Sequence, residues 1–305
     1  MKFRPEIVDY HRFIHLCDEM KLEQLLASPD FTEKYVLQKL LMHYLWCTRE
    51  EMRTDGEREI TPDLLEKITT GYHAYVNEQK PLEYIVGSVE FYKRTFVVNE
   101  NTLIPRPETE YMIEAICDYT QEKKFTDGIL MDIGTGCGVL GSSVLLENPD
   151  NFRTAFFTDI SQEALAVAKI NSDRLLGQAK QEIFFVWTDL LAFVDSYESI
   201  RNTKPIVLVA NLPYIPEATF DENAPDNVQK WEPKMAFVGG DDGLLYYRKM
   251  LDQMPANMQS TTVCFFEMMT RQIEILDKEY GENRLFEEVK TFHFNIRIVK
   301  ATKKS

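Results

Sequence analysis

The chain has 305 residues, 44% of them hydrophobic and 27% charged, which is enough for about two globular domains with a sizeable core. Its formal net charge is −15, from 34 Lys and Arg against 49 Asp and Glu; this disfavours a protein that grips phosphate backbones through basic side chains. No apolar run approaches the ~18 residues of a membrane span, and the first residues lack the apolar stretch of a secretory signal. The five separated cysteines form no metal-type pairs, so we expect a cytoplasmic protein that acts on a protein or a small molecule.

The N-terminal part is predicted to form a small helical bundle. Within Val36–Leu45 the apolar residues recur at helical spacing. Ser28-Pro29 and Thr61-Pro62 each have the sequence of an N-cap followed by proline at the first helical position. His11 and His15 are spaced to share a helix face, but no third ligand is near, so we interpret them as surface or packing residues and predict no metal.

The sequence pattern changes after the helical part. Val89–Tyr92 and Thr95–Val98 flank Lys93-Arg94, which predicts two β-strands joined by a tight turn. In Leu103–Glu110, Leu-Ile-Pro-Arg-Pro-Glu-Thr-Glu, two prolines hold an extended entry into a helix at Tyr111–Ile116. As a pattern alone, this entry segment also fits a rigid interdomain linker.

From residue 126 onward, predicted strands and helices alternate. The strands are predicted at Ile129–Ile133, Thr154–Thr158, Ile183–Trp187, Ile206–Ala210 and Thr261–Glu267, with helices between them that include Gln162–Leu176 and Leu244–Gln253. This alternation predicts an α/β fold with right-handed βαβ units and a doubly wound, mostly parallel sheet. The β-forming tail Glu287–Lys300 is predicted to add a closing hairpin at one edge.

Four of the predicted strands end in polar residues. The first runs into Asp132 and the glycine turn Asp-Ile-Gly-Thr-Gly-Cys-Gly, and the others end in Asp159, Thr188-Asp189 and Asn211. A single such Asp is about equally well explained as a helix N-cap. Four of them at successive strand ends predict a ligand site, because ligands of doubly wound sheets lie beyond the carboxyl ends of the strands.

Two cofactors fit this edge of the sheet. Gly136-x-Gly138-x-x-Gly141, with Asp159 18 residues further on, satisfies the pattern of a nicotinamide dinucleotide site. Gly134-x-Gly136-x-Gly138 fits equally well beneath the methionine part of S-adenosylmethionine, with the Asp159 carboxylate on the ribose. The glycine turn alone leaves both open.

The tetrad Asn211-Leu212-Pro213-Tyr214 favours methyl transfer. A neutral amide or aromatic amine is a poor nucleophile because its lone pair is delocalised. An asparagine oxygen and the next backbone carbonyl can accept its two N–H bonds and aim the nitrogen at a sulfonium methyl, which is catalysis by positioning. A hydride-transferring enzyme has no evident use for this tetrad.

These motifs together resemble one family over nearly the whole chain. In chain order, the motifs are Leu103–Glu110, Asp132–Gly138, Asp159, Asp189, the tetrad, Glu232-Pro233 and Gly239–Leu244. This order is similar to that of the HemK/PrmC family. Its members are class I S-adenosylmethionine-dependent enzymes that methylate a glutamine side chain of peptide-chain release factors. The resemblance implies a seven-stranded methyltransferase sheet. It also implies a helical substrate-docking domain at residues 1–80, a β-hairpin linker at 81–105 and a catalytic domain at 106–305.

The resemblance also implies residue roles. Asn211 and the Leu212 carbonyl would hold the amide, Pro213 would shape the loop and Tyr214 would pack on the glutamine of a class 1 release factor. Further substrate contacts are expected from Arg106, Glu108 and Thr109. The expected S-adenosylmethionine contacts are Asp132, Gly134, Thr135, Gly136, Gly138, Asp159, Ile160, Asp189, Leu190 and Asn211. No direct contact with nucleic acid or membrane is expected.

The chain departs from the family pattern at Leu212, where proline is usual, and at Met269, where glycine is usual. The spelling Asn-Leu-Pro-Tyr also resembles that of ribosomal-RNA adenine dimethyltransferases. An RNA or DNA amino-methyltransferase is therefore the leading alternative, ahead of an NAD(P)-dependent oxidoreductase and of an adaptor that binds a release factor without turnover.

Overall fold

The computed structural model describes residues 20–197, 200, 205–259, 261–291 and 296–304. The chain divides into two compact units, Met1–Gly87 and Ser88–Ser305. No helix in the described ranges is long and apolar enough to cross a membrane. The histidines at positions 11 and 15 lie outside the described residues.

The described part of the first unit is helical. Its helices are α1 (Leu22–Ala27), α2 (Lys34–Leu45), α3 (Arg49–Thr54), α4 (Pro62–Glu78) and α5 (Leu82–Val86). The apolar face of α2 that the sequence predicted packs into the core through Leu37, Leu40 and Leu41, opposite Ile68 and Tyr72 of α4. These helices therefore form a unit with its own hydrophobic core.

The two predicted N-caps have different outcomes. Thr61 caps α4, because its hydroxyl accepts the N–H of Leu64 at 3.3 Å and Pro62 is the first helical residue. The prediction at Ser28 is wrong: this residue ends α1 instead of starting a helix, and its hydroxyl accepts the N–H of Asp30 in the turn that follows. A serine before proline supports either arrangement, since the same hydroxyl bond forms in turns and at caps.

The second unit begins with the predicted hairpin, β1 (Ser88–Phe91) and β2 (Arg94–Val97). Its turn lies one residue earlier than predicted, at Tyr92 and Lys93, whose φ angles are +44° and +63°. Positive φ at both central residues is the geometry that matches the twist of two paired strands. The hairpin therefore follows turn geometry although neither residue is a glycine.

Within the described residues, seven strands form the main sheet of this unit: β3 (Gly128–Ile133), β4 (Phe152–Asp159), β5 (Glu182–Trp187), β6 (Ile206–Ala210), β7 (Thr262–Met269), β8 (Arg284–Thr291) and β9 (Ile296–Lys303). The order across the sheet is β5-β4-β3-β6-β7-β9-β8. Strands β3 to β7 are parallel, and β9 is antiparallel to both of its neighbours. The predicted doubly wound sheet and its closing hairpin are confirmed.

The helices below are those that the structure describes in the second unit. They are α6 (Glu110–Glu122), α7 (Val139–Glu147), α8 (Gln162–Leu176), α9 (Glu217–Asn223), α10 (Asp226–Trp231), α11 (Leu245–Gln253), α12 (Ala256–Gln259) and α13 (Thr270–Tyr280). Every residue of β3 and β6 is buried, which explains why these strands are continuous apolar runs in the sequence.

The strand order reverses between β3 and β6. From β3 the chain moves outward to β4 and β5, then returns to the other side of β3 as β6. Such a switch point leaves a crevice beyond the carboxyl ends of the two central strands. The glycine turn after β3 and the tetrad after β6 both lie there.

Asn171 of α8 joins the hairpin to the glycine turn. Its Nδ2 donates to the carbonyl oxygens of Val97 and Cys137 at 2.8 and 2.9 Å, and its Oδ1 accepts the Val97 N–H at 2.7 Å. The side chain is fully buried. The amide therefore fixes the hairpin to the loop at the head of the crevice.

Candidate active site

A cavity occupies the switch point, with a volume of about 1190 Å³ when its open mouth is included. Of the residues singled out in the sequence, it brings together Arg106, Thr109, Gly134, Thr135, Gly136, Asp159, Ile160, Asp189, Leu190, Asn211, Leu212 and Pro213 on its wall. The other predicted site residues, Asp132, Gly138, Glu108 and Tyr214, do not belong to the wall.

Asp132 lies beneath the glycine turn. Its Oδ2 accepts the Thr135 hydroxyl at 2.6 Å and the Gly141 N–H at 2.9 Å. A Cβ on Gly141 would come within 2.9 Å of that same oxygen and within 2.6 Å of the Phe157 ring, so only glycine permits this approach. Burial raises the pKa of Asp132 to about 6. The carboxylate therefore shapes the turn from inside.

The glycines of the turn have different surroundings. Gly134, Gly136 and Gly138 have φ angles of +69°, +57° and +82°, a region that favours glycine. A Cβ on Gly134 would meet Leu212 at 2.8 Å, whereas one on Gly136 would meet nothing within 4 Å. The space over Gly136 is thus open to a ligand.

Asp159 and Asp189 provide carboxylates on the wall. Asp159 accepts the N–H groups of Gly136 and Ser161, both at 2.9 Å. Burial raises its pKa, although these backbone N–H groups oppose the shift. Asp189 is paired with Lys249 of α11, a residue that sequence reasoning missed.

Asn211 and Leu212 follow the end of β6. Asn211 Nδ2 donates to the Thr109 hydroxyl at 3.1 Å. The Leu212 N–H donates to the hydroxyl of Tyr247 at 3.2 Å, and that hydroxyl donates to the backbone oxygen of Glu267 at 2.7 Å. The side chain of Leu212 is buried and lies against Gly134. The tetrad is therefore held from below by α11 and β7.

Glu267 is the most consequential residue that sequence reasoning missed. It lies near the end of β7, almost completely buried, and accepts the hydroxyls of Thr109 at 2.8 Å and Tyr214 at 2.9 Å. Burial raises the pKa of its carboxyl, while the bonds from Thr109, Tyr214 and Asn211 lower it. We call Thr109, Asn211, Tyr214, Tyr247 and Glu267 the polar cluster.

A second buried carboxylate fixes the entry segment. Glu232 accepts the guanidinium of Arg106 at 2.5 Å and the N–H of Ile104 at 3.0 Å. Its side chain is 2% exposed. Glu232 therefore fastens the segment against the chain that follows the tetrad, which is a structural reason for the two motifs to occur together.

Gly239 and Gly243 pack directly against the backbone of the tetrad. A Cβ on Gly239 or Gly243 would overlap the backbone oxygens of Pro213 and Tyr214, respectively. Met269, the position at which the resemblance implies glycine, has a φ of −81°, which suits any residue. The backbone at this position therefore does not require glycine.

The wall fits S-adenosylmethionine better than a dinucleotide. Among its described residues the charged side chains are Asp159, Asp189 and Arg106. Arg106 is neutralised by Glu232 and Asp189 by Lys249, so the excess negative charge of the wall is that of Asp159. A wall with excess negative charge suits a ligand that carries a sulfonium, and a pyrophosphate less well. The carboxylate of Asp159 can accept ribose hydroxyls, and Ile160 offers apolar surface to a planar ring. No group of three His, Cys, Asp or Glu side chains in the described ranges is arranged to hold a metal ion.

Comparison with known proteins gives matches along most of the chain. Residues 112–210 match the family model of the methyltransferase small domain. A release factor glutamine methyltransferase of Bacillus anthracis is 38% identical over 237 residues, which cover 77% of this chain and 79% of that protein. One of the same name from Flavobacterium psychrophilum is 32% identical over 231 residues, covering 74% and 76%.

A solved structure is similar in fold. The catalytic domain of hMettl16, in complex with a MAT2A 3′UTR hairpin, superimposes with a TM-score of 0.50 and 13% sequence identity. The match covers 90% of this chain and 93% of that one.

Proposed function

The chain belongs to the release factor glutamine methyltransferase family, and from this premise we propose that it methylates the side-chain amide nitrogen of a glutamine in a class 1 peptide-chain release factor. It is an S-adenosylmethionine-dependent methyltransferase, as the family match and the fold agree. The release factor and its glutamine are the proposed part, supported by the names of the relatives and by the tetrad.

The observation that carries the proposal is the position of Asn211 and Leu212 on the cavity wall, with the Leu212 side chain in contact distance of Gly134. The acceptor-holding loop and the cofactor turn are thus direct neighbours. An amide held by the loop would lie next to a methyl group bound over the turn. This proximity is what a transfer between two ligands requires.

The tetrad acts through position. The Asn211 side-chain oxygen and the Leu212 carbonyl would accept the two N–H bonds of the glutamine amide, while Pro213 limits the motion of the loop. Holding two reactants in this way is worth up to ~7–11 kcal/mol in well-oriented systems. When bound, S-adenosylmethionine supplies a methyl group on a positively charged sulfur, which departs as a neutral thioether. The amide nitrogen loses its proton to water.

The proposal also assigns the other predicted contacts. The Gly134–Gly136 backbone and Asp159 would hold the cofactor, and Ile160 and Leu190 would flank its adenine. Asp189 would reach the adenine or ribose beside its partner Lys249. Asp132 and Gly138 would act by shaping the turn. Tyr214 packing on the glutamine, and substrate contacts of Arg106 and Glu108, stay predictions.

The proposal is tested with methyl-labelled S-adenosylmethionine and a purified release factor from the same source. Matched controls are the release factor with its acceptor glutamine changed to alanine, and the enzyme carrying Asn211→Ala. We expect label only on the unaltered factor with the unaltered enzyme, while Asn211→Ala still binds the cofactor. Label on neither factor, from an enzyme that binds the cofactor, would contradict the release factor as substrate.

A further inference from the structure

The polar cluster contains a one-way sequence of hydrogen bonds. The Asn211 Nδ2 donates to the Thr109 hydroxyl at 3.1 Å, and that hydroxyl donates to Glu267 at 2.8 Å. Glu267 also accepts the hydroxyl of Tyr214 at 2.9 Å. All of these side chains belong to the second unit, and Thr109 and Glu267 are among its buried polar residues.

The direction of these bonds follows from the chemistry of the groups. An ionised carboxylate only accepts hydrogen bonds. A threonine hydroxyl has a single proton, so once it donates to Glu267 it can only accept from Asn211. Asn211 must then present its NH₂ end to Thr109. The opposite end, Oδ1, is left for the cavity.

The two ends of an asparagine amide have the same shape and differ only in what they donate or accept. Packing alone therefore cannot orient Asn211. With the amide reversed, its NH₂ would face the N–H of an acceptor amide and repel it. The orientation must come from a partner that distinguishes donor from acceptor.

We propose that Glu267 and Thr109 are positioning residues that orient the Asn211 amide with its oxygen toward the acceptor site. This inference rests on the proposed function, because it supplies the acceptor oxygen that the reaction uses. It assigns Thr109 a contact with Asn211 in place of the substrate contact expected from the sequence. Neither residue needs to touch the glutamine.

Two further contacts support the assignment. The backbone oxygen of Glu267 accepts the Tyr247 hydroxyl, which in turn receives the N–H of Leu212. The same residue thus holds both amide-accepting positions of the tetrad. Burial and the nearby Glu108 carboxylate raise the pKa of Glu267, and the donors from Thr109, Tyr214 and Asn211 oppose that rise. It is the convergence of these three donors on one carboxyl that supports its role as an acceptor.

The main test compares Thr109→Val with Thr109→Ser. Valine has the shape of threonine without the hydroxyl, whereas serine keeps the hydroxyl. We expect Thr109→Val to lower kcat by about 10- to 100-fold, with the cofactor Kd and the KM for the release factor nearly unchanged. Thr109→Ser should restore most of the wild-type kcat. Equal kcat in Thr109→Val and wild type, or no rescue by serine, would overturn the inference.

A second variant probes the direction of the bonds. In Glu267→Leu the Thr109 hydroxyl loses its acceptor and can donate to Asn211 Oδ1 instead, which reverses the amide. We expect a reduced kcat with an unchanged cofactor Kd. A variant with full kcat would count against an acceptor-only role for Glu267.

A spectroscopic measurement separates this inference from the proposed function. The side-chain amide protons of Asn211, assigned in ¹⁵N spectra by their loss in Asn211→Asp, should exchange slowly in wild type and faster in Thr109→Val. Their exchange does not depend on which substrate is methylated. A wild-type enzyme that leaves the release factor unlabelled but shows this difference would refute the proposed substrate and retain the orientation. Identical exchange in both proteins would refute the orientation.

Discussion

Asp132 is a buried carboxylate, and its contribution to the free energy of folding depends on pH. Burial raises its pKa from 3.8 to about 6. Between these two values the folded protein binds a proton that the unfolded chain does not, so this residue makes folding more favourable as the pH falls through that window. At 1.36 kcal/mol per pKa unit, the effect amounts to about 3 kcal/mol.

Asp132→Asn should remove this dependence. The amide oxygen can still accept the Thr135 hydroxyl and the Gly141 N–H, so the glycine turn is kept. Measured by urea unfolding, wild type should gain about 3 kcal/mol relative to the variant between about pH 8 and about pH 4. The exposed Asp150→Asn controls for the loss of one charge. A constant difference between wild type and Asp132→Asn across this range would contradict the prediction.

The local pattern of the sequence identified some single residues and missed others for a physical reason. Asn211 and Asp159 follow predicted strands, so their position at the sheet edge could be deduced from the alternation of strands and helices. Glu267 is the last residue of the predicted strand Thr261–Glu267, but Met268 and Met269 continue the apolar run and β7 with it, so the strand-end signal was hidden. Its contact with Thr109 joins residues 158 positions apart. A buried carboxylate is recognised through its partners, and here these come from distant parts of the chain.

At the scale of elements, the loop after the tetrad depends on Gly243. Its φ is +77°, and a Cβ there would overlap the backbone oxygen of Tyr214 and the amide of Gln272. Gly87 has a similar φ of +71° but nothing within 4 Å of its Cβ position. An alanine at Gly87 would therefore meet only backbone strain, whereas an alanine at Gly243 would meet both strain and steric overlap.

We therefore expect Gly87→Ala to lose only about 1 kcal/mol of stability, the usual cost of a left-handed alanine. Gly243→Ala should lose more stability and also displace the tetrad, with a fall in kcat of about 10-fold or more. Urea unfolding and turnover assays on both variants measure the difference. Equal effects of the two substitutions would show that the Gly239–Gly243 segment does not support the tetrad.

The elements themselves were largely predictable. Helix α8 has the predicted bounds, and strand β6 matches residue for residue, because periodic burial and buried apolar runs are encoded locally. The hairpin turn was misplaced by one residue, because neither Tyr92 nor Lys93 is a glycine or asparagine, the residue types that indicate positive φ in a sequence. Strand pairing, such as β9 between β7 and β8, depends on contacts between distant segments.

At the scale of the whole molecule, net charge separates the proposed substrate from the RNA alternative. The fold is shared with an RNA-bound catalytic domain, and Asn-Leu-Pro-Tyr also suits an exocyclic amine. Neither the fold nor the tetrad therefore distinguishes a release factor from RNA as the substrate. Proteins that hold RNA gain affinity by releasing counterions through Lys and Arg. This chain carries 34 such residues against 49 acids, and its field repels a phosphate backbone at long range.

We therefore expect the protein to bind a labelled RNA hairpin more weakly than about 10⁻⁴ M even at low salt, below the usual range of non-specific binders. Fluorescence anisotropy at two salt concentrations measures this, with a basic RNA-binding protein as the positive control. The release factor should be labelled under the same conditions, because its recognition does not require contact with phosphates. Tight RNA binding that weakens steeply with salt would instead reveal a local basic surface. It would favour an amine of RNA as the methyl acceptor.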